Sequence, residues 1–101
     1  MSRSLLERRL VDVADRLKRL RAEAAVVAEQ LDHMVDAADE ARLRALVSET
    51  PLADADAREA QRHADSHARH RADLLRSIAE LEREQDALLD RMAAELSGTD
   101  S

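Results

Sequence analysis

The chain has 101 residues, of which 38% are charged and 45% hydrophobic, with a net charge of −6, no aromatic residue, no cysteine, one glycine and one proline. That is one domain at most, with no aromatic-filled globular core and no disulfide, thiol nucleophile or cysteine-held zinc. The acidic balance argues against direct nucleic-acid binding, and no apolar run reaches the length of about 18 residues that a membrane span needs. Arg3, Arg8 and Arg9 are followed by no uninterrupted apolar segment, so the N-terminus does not read as a secretory signal, and a reducing cytoplasm is the expected location.

The first helix is expected over about 4–48. Ser4-Leu5-Leu6-Glu7 fits the S-x-x-E capping box at its start. From Leu6 the apolar residues recur at alternating steps of four and three: Leu10, Val13, Leu17, Leu20, Ala24, Val27, Leu31, Met34, Ala38, Ala41 and Ala45. This heptad seam marks a long coiled-coil helix. Asp12/Arg16, Asp15/Arg19 and Glu40/Arg44 are spaced to pair on its solvated side.

A break follows at Ser48-Glu49-Thr50-Pro51. Proline cannot continue a helix but suits the first position of a new one, with Thr50 as cap. Asp54, or Asp56 with Glu59, offers a second possible start. The turn is therefore placed at about 49–53 and the second helix at about 54–96. Its seam is poorer: Ala57, Ala60, Ala64, His67, Arg71, Leu74, Ile78, Leu81, Gln85, Leu88 and Met92. Ala68, Leu75 and Leu89 lie beside it and are expected to widen the face. Gly98 is a plausible stop, leaving 97–101 as a frayed tail.

Two helices of similar length joined by a few residues fold back on each other. Folding about Pro51 sets Ala38, Ala41 and Ala45 opposite Ala64, Ala60 and Ala57, so the helices approach closely near the turn. Charge supports the same arrangement. Residues 1–21 hold seven basic and three acidic side chains (net +4), while 77–101 hold two basic and seven acidic (net −5). A parallel dimer of the first helix would instead stack like charges. The expected fold is an all-α, two-helix antiparallel coiled-coil hairpin. Val11, Val26, Val35, Leu5, Leu89 and Leu96 fall off the seam, and a homodimer forming a four-helix bundle, or another partner, would cover them.

Four features invite a functional reading. His63, His67 and His70 share a helix face and are candidate metal ligands, although no carboxylate or cysteine completes a known ligand pattern and no cofactor is expected. If His67 sits in the seam beside Arg71, its protonation would loosen the helix pair, a possible pH sensor. Leu43, Leu46, Val47 and Leu52 cluster at the turn, either as a staple or as a docking surface. Asp54, Asp56 and Glu59 give the same tip an acidic character, and complementing the helix dipole is their ordinary role. The basic start, from Arg3 to Arg21, is expected to be neutralised by the acidic end of the second helix. No phosphate loop or catalytic set is present, so an enzyme is not expected.

With its acidic tip, the hairpin is similar in architecture to the coiled-coil hairpin of the bacterial Gre-type transcript-cleavage factors. That resemblance implies a transcription regulator whose tip enters the secondary channel of RNA polymerase, with Asp54 or Asp56 and Glu59 as the magnesium-facing carboxylates. The family's own tip wording and its C-terminal globular domain are missing here. The turn phrase Leu46-Val47-Ser48-Glu49-Thr50-Pro51-Leu52-Ala53-Asp54 resembles small uncharacterised coiled-coil proteins of actinobacteria, which imports no function. The arginine and alanine excess fits a GC-rich bacterial genome. The leading expectation is a scaffold or adaptor that binds a protein through the tip residues Leu43, Leu46, Val47, Leu52, Asp54, Asp56 and Glu59, or through its outer face.

Overall fold

The structure, a computed structural model, describes residues 2–98. Two α-helices account for nearly all of them: α1, Arg3–Ser48, and α2, Pro51–Gly98. The fold is the expected all-α helical hairpin. Within it the residues group into two compact units, one built from 2–23 with 74–98, the other from Ala24–Asp73.

In the first unit the apolar seam is deeply covered. Leu6 and Leu17 are each 1% exposed, and Val13, Leu74, Ile78, Leu81 and Leu88 are buried with them. Two ion pairs cross between the helices and fix their opposed directions. Arg9 Nη2 donates to Glu84 Oε1 at 2.8 Å, and Arg21 Nη2 donates to Glu82 Oε2 at 3.3 Å. These join the basic start of α1 to the acidic end of α2, as the opposite net charges required. All four side chains are about one-third to one-half exposed, so the pairs set direction more than they add stability.

The second unit is built on small residues. Ala38, Ala41 and Ala64 are 3–4% exposed, and Val27 is buried as well. An alanine is covered that completely only when the facing backbone comes close, so the helices here are in near contact. Ala45, Ala53, Ala57 and Ala60 are half-buried and continue the same face towards the turn.

Every residue of the expected α1 seam is buried or half-buried. On α2 one member departs: Arg71 is exposed, because its long stem carries the guanidinium out to water. His67 keeps its seam place, half-buried. Ala68, Leu75 and Leu89 do not widen the buried face; Leu75 is 42% and Leu89 50% exposed. A two-helix layer buries one stripe per helix and leaves the flanking positions in solvent.

The helix ends differ from the expected ones. Ser2, not Ser4, caps α1, its Oγ accepting from the Leu5 N–H at 3.3 Å while its carbonyl accepts from Leu6 at 3.0 Å. Glu7 pairs with Arg3 at 3.3 Å rather than completing a capping box. Nothing at Arg3 or Ser4 opposes helix, so the helix extends back until the earlier serine offers an equivalent cap. α2 begins at Pro51 with Thr50 as its cap, the first of the two starts read from the sequence and three residues before the boundary placed at about 54, so the turn shrinks to Glu49 and Thr50. At the other end Ser97 and Gly98 remain helical, while the expected tail residues Thr99, Asp100 and Ser101 lie outside the described residues. Of the three intrahelical pairs expected, Glu40–Arg44 forms at 3.9 Å; an Asp39–Arg42 pair at 2.6 Å was not foreseen. Among the described residues, Asp12/Arg16 and Asp15/Arg19 make no ion pair, and such exposed contacts are worth only a few tenths of a kcal/mol in any case.

Candidate functional site

The tip lies wholly within the second unit, and its geometry starts from the two-residue turn. Glu49 takes the left-handed conformation, φ 53°, just past the end of α1. Its N–H donates to the Ala45 carbonyl at 3.0 Å, closing α1 with the single bond of an αL cap. Glycine usually fills this position, and a side chain there costs about 1–2 kcal/mol. Thr50 then caps α2. Its Oγ1 accepts from the Ala53 N–H at 3.2 Å and its carbonyl from the Asp54 N–H at 3.1 Å. Pro51 occupies the first helical position, where its missing N–H leaves no bond unmade.

This short turn holds four large apolar side chains in water. Leu43 is 62% exposed, Leu46 69%, Val47 86% and Leu52 73%. Leu43 shares one side of α1 with Leu46 and Val47, three and four residues on, facing away from the seam. Leu52 lies in the first turn of the neighbouring helix. The two sequence-level alternatives for this group thus part: a staple would bury Leu52 against Leu46 or Val47, and no such burial exists. All four apolar tip side chains remain exposed.

The acidic tip residues divide. Asp54 stands in the first turn of α2, where a carboxylate complements the positive end of the helix dipole. Glu59 lies 3.7 Å from His63 Nε2, with both side chains about two-thirds exposed. Asp56 is exposed and makes no ion pair among the described residues. Of the histidines, His67 is in the seam while His33, His63 and His70 are exposed. Among the described residues, no group of three or more histidine, cysteine or carboxylate side chains is arranged to hold a metal ion.

Elsewhere the surface is shallow. One depression is lined by Ser4, Glu7, Arg8, Val11 and Asp12, all from a single helix, and another by Leu6, Arg91, Ala94 and Glu95. Among the described residues no polar or charged side chain is buried, and no helix is long and apolar enough to cross a membrane. No protein-family model, curated protein or solved structure matches this chain. The reading of function therefore rests on the tip itself.

Proposed function

We propose that this chain is a non-enzymatic interaction module that binds a partner protein through the hairpin tip. The observation that carries the reading is the exposure of Leu43, Leu46, Val47 and Leu52 around a turn whose conformation is held by a helix cap on each side. Fully burying a valine or leucine gains about 1.5–3 kcal/mol, so covering these four at their exposures would gain about 4–9 kcal/mol. Association costs of about 4–15 kcal/mol consume much of that. The patch by itself supports a weak, transient contact, and a tight one needs polar help from the rim, where Asp54, Asp56 and Glu59 stand. A cytoplasmic setting belongs to this proposal, since a fold without cysteine needs no oxidising compartment.

The absence of any buried polar side chain among the described residues supports a non-enzymatic role, because no desolvated acid, base or nucleophile is available there. The test is a photo-crosslinking residue placed at Val47 and, as control, at exposed Ser66. A discrete crosslinked partner from Val47 alone, lost on Leu46→Glu with unchanged helicity, supports the reading. Equal labelling from both positions refutes it. A second reading takes the same tip through its carboxylates, with exposed Asp56 as the one favouring feature. Under that reading the Asp56→Ala, Glu59→Ala double variant abolishes an effect on transcription, whereas Leu46→Glu leaves it intact.

A further inference from the structure

From Ala22 to Ala41 the chain holds six carboxylate residues and neither lysine nor arginine. Four of them share one face of α1 within the unit Ala24–Asp73. Glu29, Asp32, Asp36 and Asp39 follow one another at steps of three, four and three, and Leu43 and Leu46 continue the same steps to the tip. The row runs along the back of α1, on the side opposite the buried seam residues Ala38 and Ala41, and all six of its residues are exposed. One helix face is thus acidic along its length and apolar at its end.

A solvated helix face ordinarily mixes both signs, so that neighbours three and four residues apart attract. Here Glu29/Asp32, Asp32/Asp36 and Asp36/Asp39 are all like-charged, and like charges at these spacings weaken a helix. Arg42 and Arg44 reach only the end beside the leucines. Arg42 Nη2 donates to Asp39 Oδ1 at 2.6 Å, and Arg44 Nη1 lies 3.9 Å from Glu40 Oε2. Glu29, Asp32 and Asp36 make no ion pair among the described residues. The chain therefore leaves on this face a repulsion that a cationic neighbour would relieve.

We propose that the back of α1 receives a basic helix of a partner protein, with lysine or arginine side chains over Glu29, Asp32 and Asp36 and an apolar end over Leu43 and Leu46. The inference rests on the reading of the tip as a protein-binding site and names the chemistry of that partner. Steps of three and four suit a helical occupant, since a helix lying alongside meets such a row turn by turn over the about 25 Å from Glu29 to Leu46. Charge complementarity selects its sign. The same face of a second copy would set carboxylates against carboxylates, and the phosphates of a nucleic acid or an anionic membrane meet the same repulsion.

The test places a photo-crosslinking residue in the full chain, in the cells that make it, at Val47 and separately at His33, which is exposed between Asp32 and Asp36. Mass spectrometry then maps the segment that each position captures. The expected result is one protein captured from both, through a lysine- and arginine-rich segment whose two attachment points lie about two heptads apart, as a helix alongside α1 requires. The Asp32→Lys, Asp36→Lys double variant should lower capture from both positions about tenfold with helicity retained by circular dichroism, since two attractions become two repulsions. Asp12→Lys with Asp15→Lys, the same change of charge in the other unit, should leave capture unchanged. Capture from Val47 without His33, a segment that is not basic, or indifference to the double reversal overturns the basic helix while the tip reading stands. A second copy of this chain as the captured protein overturns it too. No discrete capture from Val47 overturns both readings.

Discussion

Ala41→Leu is the substitution whose sign the structure decides. Ala41 is 4% exposed, and Ala38 and Ala64 in the same unit are 3% exposed. By hydrophobicity alone the change should stabilise a coiled coil, because leucine adds three carbons worth about 2.4 kcal/mol if they find buried room. The coverage of Ala41 leaves no such room. The longer side chain must either leave the seam or push the helices apart, uncovering the alanines on each side, and overpacking of this kind costs about 1–3 kcal/mol. For a chain of this size that lowers Tm by about 5–20 °C. Thermal unfolding followed by helical circular dichroism measures it, with exposed Ala37→Leu as the control expected within about 0.5 kcal/mol of the parent. A Tm for Ala41→Leu equal to or above that of the parent would refute close helix approach near the turn.

Leu17→Ala removes one of the two most deeply buried leucines and should cost about 2–4 kcal/mol, read as a lower urea midpoint with unchanged slope. Thr50→Ala deletes the hydroxyl that accepts from Ala53 and should cost about 1 kcal/mol. Glu49→Gly should instead stabilise by about 0.5–1 kcal/mol, since glycine takes a φ of 53° without strain; a lower Tm would show that the left-handed cap is not maintained in solution. Added zinc or nickel should leave Tm unchanged, because His63, His67 and His70 are not assembled into a ligand set and a metal stabilises only where it binds the folded state. A metal-dependent rise in Tm would favour the reading of these histidines as a metal sensor.

The tip shows how the buried stripe and the exposed patch came to be legible to different degrees. That Leu43, Leu46 and Val47 lie off the seam follows from counting threes and fours. Whether Leu52 folds over them does not, because a staple and an open patch use the same residues in the same order. The helix ends were harder still. Ser2 and Ser4 are equivalent caps on paper, and helix formation favours the longer span once nothing breaks it. No local signal announces that Glu49 adopts the left-handed conformation; the position is set by Thr50 and Pro51 starting the next helix at once.

The heptad spacing, the lone proline and the opposite charges of the two ends by themselves determined a helical hairpin and its direction, because periodicity and net charge are properties of the chain that hold in any packing. Only the tertiary structure decided how tightly the alanine half closes, which flanks stay in solvent, and that the turn presents its four apolar side chains instead of burying them. Those outcomes depend on the distance between two helix surfaces, a quantity that no single stretch of sequence encodes.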